Sequence, residues 1–182
     1  MTVQSTGIST LWCPSDGTVS EKTNIGNQYY DAGLPFDTIY TSYAGMFGTW
    51  ASWPQVIPDS IQATQPNSNG IFFNGSAVKI SSITDGTSNT IAFGEHAHGI
   101  LAKDDLPWWN HWFSGCHGDT GIDSMYGINP QKRIQQTWSG TYYTCTGGVE
   151  AFFGSASSLH PGGANFAMTD GSVRFIKDTV SS

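Results

Sequence analysis

Apolar positions in this chain come in short runs, each bounded by Gly, Pro, Asn or Asp, a pattern that predicts short strands and turns. Ala164 to Met168 reads as a mostly apolar strand. Asp170-Gly171 follows as a hairpin signal, because a two-residue primed turn favours Asp or Asn before Gly. Val173 to Ile176 returns as the partner strand, with Val173 and Phe175 on one face and Arg174 and Ile176 on the other. Thr90 to His96 reads as a central strand by its apolar content. Thr38 to Gly45, Gly70 to Gly75 and Gly140 to Cys145 are further strand candidates, and Val78 to Ile83 fits a strand or one helical turn. One short helix is expected near Ile57 to Ala63. An antiparallel sheet of about four to six strands follows from typical sheet sizes.

Composition agrees with a β- and loop-rich globular chain. Gly numbers 22, charged residues make up 12%, and aromatics include 7 Trp, 7 Tyr and 10 Phe. The 182 residues suit one domain over 1–182, with aromatic-rich loop insertions near 46–70 and 104–140. The net charge is -7 and only 7 residues are Lys or Arg. That balance argues against nucleic acid and against an anionic membrane surface. No run of about 18 apolar residues exists, so no membrane span is expected.

Three segments carry a family resemblance: Cys13-Pro14-Ser15-Asp16, Ile83 to Glu95 (with Thr84-Asp85-Gly86-Thr87-Ser88-Asn89 at its head), and His160 followed after nine residues by Asp170-Gly171. Together they resemble the prepilin-type, pseudopilin-like family marked by a C-terminal His-x9-Asp-Gly motif, chiefly planctomycete and of undefined function. The resemblance implies an α+β, mostly β fold: a pilin-like antiparallel sheet with long decorating loops. It implies structural roles for Cys13, Asp16, Asp85, Gly86, Ser88, Asn89, Glu95, His160, Asp170 and Gly171. The leader and long apolar helix that begin such relatives have no counterpart here, so the expectation is a head domain without its N-terminal pilin helix. Cell-surface, periplasmic or extracellular placement is implied as well.

Candidate chemistry is sparse. His160 and Asp170 suit a catalytic or metal pair, and Ser157 or Ser158 would complete a triad. No Gly-x-Ser-x-Gly elbow supports that reading, and a turn-locking role competes with it. Asp85 and Asn89 offer oxygens to calcium, although one carboxylate is few for that ion. The loop from Gly118 to Ser124 is a weaker calcium candidate. His96 and His98 would share a strand face by period two and are candidate zinc ligands, with His111, Cys116 and His117 nearby in sequence. Trp50, Trp53, Trp108, Trp109 and Trp112 are candidate binding aromatics for polysaccharide or protein, or a second core beneath the loops. Three Cys allow one disulfide, for which Cys116 with Cys145 is the favoured pair, or three buried thiols.

These features favour a non-enzymatic role. The expectation is the head of a pseudopilin-like structural or assembly protein, with other pilin-like subunits or itself as partner and with no cofactor beyond a candidate calcium. An extracellular binding module and a metal-dependent hydrolase are the competing classes.

Overall fold

A computed structural model describes residues 3–25, 35–49, 69–73, 76–101, 106–115, 119–124, 126–130, 137–139, 142–144 and 154–180. Among the described residues nine strands run in chain order: β1 Thr23–Ile25, β2 Phe36–Thr38, β3 Tyr43–Gly48, β4 Ile91–Glu95, β5 Gly121–Asp123, β6 Thr137–Ser139, β7 Tyr142–Thr144, β8 Gly163–Met168 and β9 Val173–Lys177. The main sheet has five strands in the order β5-β3-β4-β8-β9. Pairs β1-β2 and β6-β7 are separate two-stranded ribbons. Helix among the described residues is limited to single 3-10 turns, as at Ser9–Leu11 and His98–Ile100. The fold is therefore mostly β, as expected.

The sheet departs from expectation in one pairing. β3 meets β4, β4 meets β8 and β8 meets β9 antiparallel, but β3 and β5 run parallel. The long stretch between β4 and β5 returns the chain to the far side of β3 in the same direction, so the sheet is mixed. Local readings shift too. Thr38 to Gly45 is not one strand: the chain bends at Ser42, where the Thr41 hydroxyl accepts from Tyr43 N at 3.1 Å. Residues 69–73 are not a strand: Gly70 and Ile71 bend, and Phe72 N donates to Met46 O. Val78 to Ile83 contains the turn Ile80–Ser82. The β6-β7 ribbon ends inside the expected strand near Tyr142. The helix expected near Ile57 lies outside the described residues.

The β8-β9 hairpin forms as predicted, but its turn is of another kind. Gly171 N donates to Met168 O at 3.0 Å and Met168 N to Ser172 O at 2.8 Å, and Gly171 has φ 85. This is a three-residue loop closed by a left-handed glycine, so Asp170-Gly171 occupies its last two positions. Asp170 Oδ1 accepts Ser172 N at 2.9 Å and Ser172 Oγ at 2.6 Å. Those bonds hold the Asp170 carboxyl below its usual range.

Register assigns the two sheet faces. Ala44, Gly94 and Phe166 align across β3, β4 and β8 and face the core, where Met46, Ile122, Ala156 and Ala164 join them. The core packs alanines, Met46 and Ile122 around one ring, that of Phe166. A Cβ on Gly94 would lie 2.7 Å from both Ile122 Cδ1 and Phe166 Cε1, so only glycine lets these side chains close over β4. The opposite face carries Gly45, Phe93, Ala167 and Val173 in one row, and Tyr43, Glu95, Asn165 and Phe175 in the next.

Gly94→Ala should therefore lose about 1–3 kcal/mol of stability, the usual effect of overpacking a filled core. Gly17→Ala, where an added Cβ meets nothing within 4 Å, should be near neutral. Urea denaturation of both variants checks the contrast.

Candidate functional site

The C-terminal end of β4 delivers Glu95 onto the outer face, yet the side chain is only 3% exposed. A carboxylate removed from water needs partners, and four groups supply them. Asn165 N donates to Oε2 at 2.7 Å, and Asn165 Nδ2 lies 3.2 Å from Oε1. His160 Nε2 is 3.2 Å from Oε1, and Cys13 Sγ is 3.8 Å from it. Cys13 Sγ is also 3.6 Å from His160 Nε2. Sulfur, oxygen and nitrogen thus lie within 4.8 Å of one another.

Three distant segments build this cluster. Cys13 is a free, buried thiol in the turn where Asp16 N donates to Cys13 O. His160 precedes the Pro161-Gly162 turn into β8, and Ser158 Oγ fixes its backbone by accepting His160 N at 3.0 Å. Tyr43 stands opposite Glu95 in the register. Burial first, then the Cys13 and Glu95 charges and a hydrogen bond to Cys13, push the Tyr43 phenol up.

A Ser-His-Asp arrangement does not form. Ser158 meets the His160 backbone, not the ring, and Asp170 sits exposed at the opposite end of β8, bonded to Ser172. Nor does Glu95 pair with Arg174, whose charge instead lowers Asp170. Arg133 lies outside the described residues.

A second buried polar layer lies beside the first. Asp16 accepts Gly99 N with both carboxylate oxygens, at 3.0 and 3.2 Å. His98 is stacked on Tyr40, with ring centroids 3.8 Å apart, and His111 lies on the tyrosine at 5.6 Å. His98 Nε2 meets Leu106 O at 2.8 Å, so Nε2 carries a hydrogen, and Nδ1 lies 3.0 Å from Thr18 Oγ1. Thr18 also reaches Asp16 Oδ1 at 3.1 Å. Its single hydroxyl hydrogen serves a neutral His98 or the Asp16 carboxylate, not both. His111 Nδ1 lies 3.5 Å from Asp119 Oδ1, both side chains fully buried, and His111 N donates to the same oxygen at 3.1 Å.

The strand-face argument that joined His96 and His98 as zinc candidates does not hold along β4. β4 ends at Glu95 and His98 opens a 3-10 turn, so period-two alternation stops before both residues. Among the described residues, Cys13, Glu95 and His160 are the group of three ligand-type side chains brought together. The Asp85 loop is internally bonded: Asn89 Nδ2 donates to Asp85 O at 3.1 Å and Thr90 Oγ1 to Gly86 O at 3.1 Å. Asn89 thus turns an amide hydrogen, not its oxygen, onto the Asp85 carbonyl. The same loop docks on the hairpin turn, where Thr169 Oγ1 donates to Thr87 O at 2.8 Å and Asp170 N to Thr87 O at 3.2 Å.

Trp109 and Trp112 are half-buried, and Trp112 meets Phe113 edge-on at 6.3 Å. Trp50, Trp53, the Trp108 side chain, Cys116, His117 and Cys145 lie outside the described residues, and with them the Cys116–Cys145 pairing. Sequence reasoning missed Asn165, Tyr43, Tyr40 and Asp119 as partners. Period-two alternation from Glu95 and Asp170 gives no cross-strand register, which was the missing signal.

The whole chain, residues 1–182, matches a family described as a protein of unknown function, DUF1559. The chain belongs to DUF1559. Comparison with curated proteins and with solved structures gives no match. In this DUF1559 protein the early Cys-Pro-Ser-Asp segment, the end of β4 and the entry to β8 converge on one point.

Burial holds His98 below the ordinary histidine range, against the opposing pulls of Leu106 O and Asp16, and His111 is lowered in the same sense against Asp119. The unfolded chain therefore binds protons that the folded chain refuses. Stability should fall as pH drops below about 6.5, the unfolded histidine value, and continue to fall until the folded rings titrate. Melting temperatures between pH 7.5 and 5 should show that slope, and His98→Asn should be less stable but shallower in it.

Proposed function

We propose that this protein is the head of a pseudopilin-like structural or assembly protein, placed at the cell surface, in the periplasm or outside the cell. Its partners are other pilin-like subunits or further copies of itself. The observation that carries this reading is the outer sheet face. Phe93 is 47% exposed, Val173 67% and Phe175 49%, and register sets them on one side of β4 and β9. An apolar strip of that kind on a folded head suits a packing partner. β9 is also an edge strand, with Arg174 and Lys177 as the charges that discourage indiscriminate pairing.

The signature segments support the same reading. Asp16 closes onto Gly99, the Asp85 loop onto the β8-β9 turn, and Glu95 onto Asn165. Each polar group holds chain to chain. The half-buried Trp109 and Trp112 favour packing over a ligand platform. No helix among the described residues is long and apolar enough to cross a membrane.

Sedimentation of the purified chain over a concentration series tests the assembly reading. Reversible self-association is expected, and Phe93→Ser with Phe175→Ser should weaken it at least several-fold while leaving the circular dichroism spectrum intact. A chain that stays monomeric throughout, or association indifferent to both changes, would count against self-packing through this face. Protease accessibility on intact cells tests the location.

A further inference from the structure

We propose that Cys13, Glu95 and His160 form a binding site for a divalent transition ion of the zinc class, with thiolate, carboxylate and imidazole as its three protein ligands.

The distances are those of a coordination polyhedron. Zinc bonds of about 2.3 Å to sulfur and about 2.0–2.1 Å to nitrogen or oxygen, set at tetrahedral angles, separate sulfur from either light donor by about 3.5–3.6 Å and the light donors by about 3.4 Å. Here Sγ–Nε2 is 3.6 Å, Sγ–Oε1 3.8 Å and Nε2–Oε1 3.2 Å. All three edges come within a few tenths of an ångström of that figure.

The alternative chemistry for Cys, His and Glu is a nucleophile relay. A relay uses the two imidazole nitrogens separately, one toward the thiol and one toward the carboxylate. Here both Cys13 and Glu95 face the same atom, His160 Nε2. Three donors aimed at one point describe a ligand set. A hydrogen-bonded cluster alone would leave Nε2 with one hydrogen between two neighbours.

The surroundings orient each donor. Asn165 holds both carboxylate oxygens, its N on Oε2 at 2.7 Å and its Nδ2 on Oε1 at 3.2 Å, and so fixes the Glu95 carboxylate with Oε1 beside Cys13 and His160. The His160 side chain is 33% exposed, so the fourth position opens to solvent and water completes the shell. The thiolate excludes the hard ions magnesium and calcium as preferred occupants. On binding, the Cys13 thiol gives its proton to solvent, so titration in weak buffer releases about one proton per ion, and affinity rises with pH.

The test uses the full chain, reduced and stripped by chelator, titrated with cobalt(II) and then with zinc(II). One cobalt per chain should give the intense visible bands of tetrahedral coordination and a near-ultraviolet sulfur-to-cobalt charge-transfer band, both removed by zinc. Cys13→Ser should abolish the charge-transfer band, while Cys116→Ser should retain it. His160→Ala should weaken zinc binding at least about 100-fold, since even loss of a supporting neighbour costs 10–100-fold. His160 is partly exposed, so this variant remains informative if Cys13→Ser misfolds; an unchanged circular dichroism spectrum confirms its fold. Absence of one-to-one binding, octahedral cobalt spectra, or bands that survive both Cys13→Ser and His160→Ala would overturn the proposal.

Discussion

A buried carboxylate governs the arrangement of this molecule. Glu95 ends the central strand β4 with 3% of its surface exposed, and an unpaired charge there would cost several kcal/mol. Its solution recruits the neighbouring strand through the Asn165 backbone, the N-terminal segment through Cys13, and the approach to β8 through His160. Segments more than 80 residues apart in sequence are held at one point because a single side chain cannot be left without partners. The parallel contacts just beyond β4 follow from the same placement, with Ser157 N donating to Glu95 O and Ala97 N to Ser157 O.

The other end of β4 is fixed by a different means. There the Asp85 loop and the β8-β9 turn share backbone and hydroxyl hydrogen bonds, with Thr87 O accepting from both Thr169 Oγ1 and Asp170 N. Between the two ends, Gly94 lets Phe166 and Ile122 meet across the strand. β4 is thus tied at its start by neutral turn contacts, at its middle by close packing and at its end by charge. The Tyr40 stack with His98 and His111 extends this end into a buried layer where burial holds both imidazoles below the ordinary histidine range.

The two faces of the sheet divide the functional possibilities. The inner face is filled by alanines, Met46 and Ile122 around Phe166. The outer face bears an ion-type donor cluster at one end and exposed Phe93, Val173 and Phe175 beside it. An apolar strip adjoining a fixed polar cluster gives a packing surface both affinity and a defined register, since burial is non-directional and polar contacts are not. A structural head would draw on both.

The sequence by itself determined the local elements whose cause is local. Asp170-Gly171 marked a hairpin because few residues other than glycine take a left-handed φ, and the apolar run from Ile91 marked a strand central to the sheet, although Phe93 on it stays 47% exposed. The family resemblance singled out Cys13, Asp16, Glu95 and His160 without saying what they touch. Tertiary structure alone decided what they do. β4 ends at Glu95, so strand alternation does not extend to His98 in its 3-10 turn, and the His160 ring meets a thiol 147 residues earlier. The parallel placement of β5 likewise depends on where a long connection returns, and the Asp-Gly turn type on one hydrogen bond beyond the pair. Periodicity reports which face a side chain takes, whereas strand order and register decide which side chains meet there.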